Sequence, residues 1–245
     1  MKIFVTGSAS RLGEAISLKL IENGFLVTGF DSNESNLQHD LYNHVIGDIQ
    51  NKSQLLEKLT DCDFVIHSAV YKGDYNKNIN VALQVNVIGT ANLYECVRHF
   101  NKAKIILLSS APVDKDFPNT NPFAWKSDPG NDHIYDLTKR LQEEIAHDYF
   151  ETYMIPTTIL RLGHVVDGKT NTDLEGNLLN ELKYCLGGWV DYQDVSEAVL
   201  LALRYDTSRF EIFNIIGSEH QKDPFNIKLT IEKLGWKPVF RFKQG

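Results

Sequence analysis

Short apolar runs alternate with amphipathic runs along most of the chain. The runs at 2–6, 25–30, 44–48, 62–70, 102–110, 157–163 and 211–217 are brief and mainly apolar, and they predict strands. The runs at 11–24, 51–59, 81–100, 132–151 and 192–205 repeat apolar residues at helical spacing. This alternation predicts an α/β fold: a Rossmann-type, doubly wound parallel sheet with right-handed crossovers and helices on both faces.

Composition narrows the possible partners of this protein. The 245 residues carry a formal net charge of −7, which argues against a general nucleic-acid or anionic-membrane binder. Cys62, Cys96 and Cys185 are far apart and odd in number, so we expect buried thiols rather than disulfides or a zinc site. No signal peptide or membrane span is evident, and we expect a cytoplasmic protein.

The stretch VTGSASRLGE, residues 5–14, joins the first predicted strand to the first predicted helix. Such a turn binds a dinucleotide pyrophosphate through backbone N–H groups and the helix N-terminus. Gly7 suits the tight turn, and Gly13 suits close helix–strand packing. Ser10 replaces the middle glycine of the pattern, but it is small, and its hydroxyl can donate to a phosphate.

An acidic residue ends the second predicted strand, where an adenosine ribose would be bound. The carboxylate of Asp31 can accept hydrogen bonds from ribose hydroxyls and would repel the extra phosphate of NADP. NAD is therefore the expected cofactor. Arg11, inside the loop, keeps NADP open as the less favoured alternative.

Of the ten tyrosines, only Tyr135 is followed by a lysine four residues later, Lys139. This spacing puts both side chains on one face of a helix, one turn apart. A neighbouring ammonium favours the phenolate and lowers the pKa of the phenol, which can then accept a proton from a substrate hydroxyl. The alternative is an exposed ion-pairing position on an ordinary amphipathic helix.

Together these residues resemble the NAD-dependent epimerase/dehydratase family of the extended short-chain dehydrogenase/reductase superfamily. The resemblance runs through GDIQN, VIHSAV, NVIGT, LRLGHVV and WVDYQDVSEAV and so covers nearly the whole chain. It implies that Ser110 is the catalytic hydroxyl and that Tyr135 and Lys139 also contact the cofactor. The further cofactor-binding positions that it implies are Leu12, Asp48, Ile49, His67, Ser68, Ala69, Lys72 and Asn86.

The chain departs from the family pattern on the substrate side. Asp114 stands where nucleotide-sugar epimerases have a tyrosine, and little chain is left to enclose a nucleotide. The compact layout and LGWKP are similar to uronate dehydrogenases. However, Tyr184 and His164 stand where that group has an arginine and a serine, and Lys183 is an imperfect substitute. The candidate substrate-contacting residues are Ser109, His164 and Tyr184.

We expect a single domain, 1–245, with a cofactor-binding core of about 1–167 plus 190–217. A small, reduced C-terminal substrate lobe would take about 168–189 plus 218–245. The expected function is NAD-dependent oxidation or epimerisation at a secondary hydroxyl of a sugar-type small molecule, without a metal and with a possible homodimer. The alternatives are a uronate-type dehydrogenase and a non-catalytic NAD(P)-binding sensor.

Overall fold

The structure is a computed structural model that describes residues 1–100, 103–111, 133–179, 188–205, 208–217, 227–240 and 242. Its strands are β1 (Lys2–Thr6), β2 (Leu26–Asp31), β3 (Tyr42–Ile46), β4 (Phe64–His67), β5 (Lys104–Ser110), β6 (Thr157–Leu162), β7 (His164–Asp167), β8 (Thr172–Asp173), β9 (Trp189–Asp191) and β10 (Phe210–Ile215). Its helices are α1 (Arg11–Glu22), α2 (Lys52–Lys58), α3 (Ile79–Leu83), α4 (Gly89–Phe100), α5 (His133–Tyr153) and α6 (Tyr192–Arg204).

Seven strands form one parallel sheet in the order β10-β6-β5-β4-β1-β2-β3. The order reverses beside β1, which brings the carboxyl ends of β1, β2 and β4 together at a switch point where such sheets bind ligands. This arrangement confirms the predicted Rossmann-type fold. A second, three-stranded sheet in the order β8-β7-β9 follows β6.

Apolar residues cover both faces of the main sheet. Side chains alternate between the faces of a strand, so Ile3 and Val5 of β1 pack with α1 and α6, while Phe4 packs with α2 and α4. Both core clusters consist of aliphatic and aromatic residues from helices and strands together. Burial on both faces explains why strands such as β5 are almost wholly apolar.

The helix predicted over 81–100 is interrupted in the structure. Between α3 and α4 the chain makes a wider π-type turn, Gln84–Ile88, which contains the buried side chain of Asn86. Three hydrogen bonds of the Asn86 side chain hold this turn. Apolar periodicity does not reveal such a turn, because the apolar positions continue through it.

The C-terminal segment, residues 227–240, is attached to the first turn of α6. The indole of Trp236 is fully buried and donates to the backbone oxygen of Asp194 at 2.9 Å. The Asp194 carboxylate accepts hydrogen bonds from the backbone N–H groups of Val239 and Phe240. Burial raises the pKa of Asp194.

The division into a core and a small substrate lobe stays a prediction.

Cys62 and Cys96 are free and buried, as expected for structural thiols. Residues 112–132, with Asp114, and residues 180–187, with Lys183 and Cys185, lie outside the described residues. Within the described ranges, no helix is both long and apolar enough to span a bilayer.

The contact between the first loop and α1 generates a stability prediction. A Cβ at position 13 would overlap the backbone oxygen of Gly7 and lie 2.8 Å from the Cα of Ser8. We expect Gly13→Ala to lower the free energy of unfolding by about 1–3 kcal/mol through overpacking. Urea unfolding measures this change, and the exposed Glu22→Ala on the same helix serves as the control. Equal stabilities of the two variants would contradict the close packing.

Candidate active site

The loop after β1 is shaped by a glycine at one end and a helix cap at the other. Gly7 has a φ of +72°, and a Cβ there would lie 2.7 Å from the backbone N of Ala69. Ser10 has a φ of −75°, which needs no glycine, and it is the N-cap of α1. Its hydroxyl accepts a hydrogen bond from Gly13 N–H at 3.0 Å and donates to the Gly7 oxygen at 2.8 Å. Ser10 therefore stabilises the loop from within.

A cleft of about 440 Å³ opens beside this loop, over the carboxyl ends of β1, β2 and β4. The Asp31 carboxylate lies at its wall and accepts from the backbone N–H of Ala9 at 3.1 Å and of Asn33 at 2.9 Å. The predicted residues that line the cleft are Gly7, Ser10, Asp31, Asp48, Ile49, Ser68, Ala69 and Lys72. Ala9, Asn33, Gln50 and Tyr71, which sequence reasoning did not identify, also line it.

The imidazole of His67 lies in the buried interior rather than at the wall of this cleft. One ring nitrogen is 2.8 Å from the hydroxyl of Thr6 and the other is 2.8 Å from the hydroxyl of Thr90. Burial and, secondarily, the charge of Lys139 lower the pKa of His67 to about 3. His67 is therefore neutral at physiological pH and connects β1, β4 and α4 by hydrogen bonds.

Asn86 connects the segment after β4 to α5. Its side-chain oxygen accepts from the backbone N–H of Tyr71 at 2.7 Å. Its amide nitrogen donates to the hydroxyls of Thr138, at 2.9 Å, and Tyr75, at 3.3 Å. Thr138 in turn donates to the backbone oxygen of Tyr135. Asn86 therefore supports the helix turn that carries Tyr135.

Lys139 is buried against the end of β5, one helical turn after Tyr135. Its ammonium donates to the backbone oxygen of Leu108 at 3.0 Å and lies 5.9 Å from the centre of the Tyr135 ring. Burial lowers the pKa of Lys139 to about 8, while the charge of Glu143 opposes this shift. The pair is thus not an exposed ion-pairing position, and at pH 7 most of Lys139 is protonated.

A buried carboxylate follows Lys139 by another helical turn. Glu143 accepts from the hydroxyl of Ser109 at 2.5 Å and from two nitrogens of the Arg161 guanidinium, the shorter contact being 2.7 Å. Both charged side chains are almost fully buried. The Ser109 hydroxyl is thus bonded to α5, while Ser110 is the last residue of β5. Extending the four-residue spacing from Tyr135 and Lys139 would have identified Glu143.

The guanidinium of Arg11 points from the first loop to the second sheet. It forms an ion pair with the buried carboxylate of Asp167 at the end of β7 and lies 5.3 Å from the ring centre of Tyr192. Burial of Asp167 favours its neutral form. Hydrogen bonds from the backbone of Thr170 and Lys169, with the charge of Arg11, outweigh burial and lower its pKa.

The model of the NAD dependent epimerase/dehydratase family matches residues 3–181, nearly three quarters of the chain. The chain belongs to this family. Membership confirms the resemblance drawn from the sequence, and with it the prediction of an epimerase/dehydratase-type enzyme.

Relatives within the family differ in the reactions for which they are named. A putative UDP-glucose 4-epimerase of Methanocaldococcus jannaschii is 29% identical over 99% of this chain and 95% of its own length. A uronate dehydrogenase of Agrobacterium fabrum is 24% identical over 66% of this chain and 60% of its own length. Several further relatives match over about half of their own length.

Solved structures share the fold. A short-chain dehydrogenase/reductase superfamily protein from Agrobacterium tumefaciens, crystallised with NAD, aligns with a TM-score of 0.77 at 19% identity. The alignment covers 98% of this chain and 93% of that one. Identity at this level supports the fold alone.

Three further site residues predicted from the sequence are Leu12, His164 and Tyr184. Leu12 is partly buried against the core on the α1 face. His164 is exposed on β7, and Tyr184 lies outside the described residues. The assignment of substrate contacts to Ser109, His164 and Tyr184 stays a prediction.

The buried ammonium of Lys139 predicts a pH-dependent stability. Below pH 8 the lysine is protonated in both the folded and the unfolded chain, so the whole free-energy cost of burying the charge opposes folding. Between pH 8 and 10.5 the folded chain loses this proton first, so stability rises with pH relative to a variant without the charge. We expect Lys139→Met to be at least as stable as the wild type at pH 7, and this advantage to shrink towards pH 10.

Urea unfolding from pH 7 to pH 10 measures this difference. Lys169→Met is the matched control, because Lys169 is exposed and the same substitution there removes no buried charge, so its difference from the wild type should stay flat. A flat difference for Lys139→Met as well would contradict the burial of a protonated Lys139.

Proposed function

We propose that this protein binds NAD and catalyses hydride transfer at a carbon that bears a secondary hydroxyl of a sugar or sugar derivative, as an oxidoreductase or epimerase. The observation that carries the proposal is the buried ammonium of Lys139, one helical turn from Tyr135, at the end of β5. A buried cation beside a phenol is costly to a fold and useful for proton transfer.

The cleft fits a dinucleotide. Gly7 has a positive φ and no side chain, which lets the loop pack directly against Ser68 and Ala69 in the lining of the cleft. Ser10 starts α1 at the cleft, which directs the positive end of the helix towards a pyrophosphate. Asp31 at the end of β2 would bind the adenosine ribose, and Lys72 adds a cation to the lining of the cleft.

Two charged residues support NAD rather than NADP. The carboxylate of Asp31 would repel a phosphate on the adenosine ribose. Arg11, the cation that the sequence left as a possible phosphate ligand, forms an ion pair with Asp167 instead. NADP is therefore the less favoured cofactor.

NAD, when bound, supplies the acceptor for the hydride. Tyr135 accepts the proton of the substrate hydroxyl, and the charge of Lys139 stabilises the phenolate that must form beforehand. Ser110, at the carboxyl end of β5, holds the substrate oxygen by a hydrogen bond. The step is reversed when the carbonyl carbon regains a hydride and its oxygen regains the proton from Tyr135, so oxidation and epimerisation share these residues.

The substrate class is the finer part of the proposal. The relatives named as a UDP-glucose 4-epimerase and a uronate dehydrogenase both act on sugars, which supports a sugar-type substrate. A uronate-type dehydrogenase is the second candidate, favoured by the compact layout of the chain and opposed by Tyr184 at the position of an expected arginine. The homodimer and the cytoplasmic location stay predictions.

A substrate screen and one substitution test the proposal. Free sugars, sugar acids and nucleotide sugars are incubated with NAD; NADH absorbance reports oxidation, and chromatography of the products reports epimerisation. On an identified substrate, Tyr135→Phe should lower kcat by about 10²–10⁴-fold, because it removes the proton acceptor but not the ring. NAD affinity, measured by calorimetry, should change little. Tyr153→Phe, at the exposed end of α5, is the control.

Two results would count against an enzyme of this kind. Full turnover by Tyr135→Phe would remove Tyr135 from the reaction. Tight NAD binding without turnover of any sugar, sugar acid or nucleotide sugar would favour the non-catalytic sensor.

A further inference from the structure

Three tyrosines form a continuous stack from the wall of the cleft to the helix that carries Tyr135. Tyr71, which lines the cleft, meets Tyr75 edge-to-face, with ring centres 5.1 Å apart and planes at 78°. Tyr75 meets Tyr135 in the same way, at 5.5 Å and 86°. Aromatic pairs favour this perpendicular geometry because the positive edge of one ring faces the negative face of the other.

The middle ring of the stack is held at its hydroxyl as well as at its faces. The Tyr75 hydroxyl donates to the backbone oxygen of Tyr71 at 2.6 Å and accepts from the Asn86 amide at 3.3 Å. Tyr75 is 7% exposed and packs with Ala82 and Ile134. Its hydroxyl is thereby held by groups outside α5.

The same amide also controls the backbone under Tyr135. Asn86 donates to the hydroxyl of Thr138, which donates to the backbone oxygen of Tyr135. Tyr135 is the third residue of α5, and Asn86 reaches its backbone from another element through Thr138.

We propose that Tyr75 is a positioning residue for Tyr135: its ring, packed between the rings of Tyr71 and Tyr135, fixes where the Tyr135 ring lies and so the position of the phenol oxygen. The inference rests on the proposed function for its kinetic consequence. The contact between the two rings does not depend on that function. Nothing in the glycine loop or in the Tyr135/Lys139 spacing indicates Tyr75, which lies between β4 and α3.

Two substitutions separate the ring of Tyr75 from its hydroxyl. Tyr75→Leu removes the ring that meets Tyr135, and Tyr75→Phe keeps that ring and loses only the hydroxyl. On an identified substrate, we expect Tyr75→Leu to lower kcat at least tenfold, with NAD affinity within twofold of the wild type. Tyr75→Phe should keep at least half of kcat. Tyr153→Leu, which removes an exposed ring from the other end of α5, should leave kcat unchanged.

A spectroscopic readout tests the contact without any turnover. In protein labelled with 3-fluorotyrosine, the ¹⁹F signal that disappears in Tyr135→Phe belongs to Tyr135. The ring current of Tyr75 contributes to its chemical shift, so this signal should move in Tyr75→Leu and stay in place in Tyr75→Phe and Tyr153→Leu. Tyr75→Met is the second ring-free variant if Tyr75→Leu does not fold.

The outcomes separate the positioning role from the proposed function. An unmoved Tyr135 signal in the ring-free variant, or a kcat equal to the wild type, overturns the positioning role. An equal loss of kcat in Tyr75→Phe and Tyr75→Leu also overturns it, because the hydroxyl would then carry the effect. If Tyr135→Phe keeps full turnover, the proposed function fails, and the ¹⁹F signal alone decides whether Tyr75 orients Tyr135.

Discussion

The buried ammonium of Lys139 determines which polar and charged groups must surround it. A charge without water needs hydrogen-bond partners and a counter-charge, since burial alone favours the neutral amine. The backbone oxygen of Leu108 supplies one partner, and Glu143 supplies the counter-charge. Glu143 is itself buried and is held by Ser109 and Arg161. Lys139, Arg161 and Glu143 together carry one net positive charge.

Features that depend on local geometry could be predicted from the sequence. The strands of the main sheet and the helices that flank it follow from apolar periodicity. The Tyr135/Lys139 pair follows from the helical repeat. The loop after β1 was also recognisable, although Ser10 breaks the glycine pattern. The structure shows why a serine fits at position 10: its φ of −75° suits any residue, and a serine there caps α1. The φ of +72° at position 7, by contrast, favours glycine.

Features that depend on distant contacts could not be predicted. His67 precedes two residues of the cleft wall, yet its own side chain points into the interior, because strand residues alternate between faces. The ion pair of Arg11 joins positions 156 residues apart, and no local pattern indicates Asp167 as its partner. The π-type turn at Asn86 keeps the apolar repeat of a continuous helix, so the apolar pattern does not reveal it, and the side-chain hydrogen bonds of Asn86 join it to residues distant in sequence.

The start of α6 connects the second sheet to the C-terminal segment. The Asp191 carboxylate caps α6 at Gln193 N–H and also accepts from Gly168 N–H, next to the end of β7. A side chain at position 168 would overlap the ring of Phe240, whose backbone N–H is held by Asp194. Because β7 also anchors Arg11 through Asp167, the same short region connects the cofactor loop, the second sheet and the C-terminal segment. In the proposed function, oxidation and epimerisation share Ser110, Tyr135 and Lys139, so these three residues do not distinguish the two reactions.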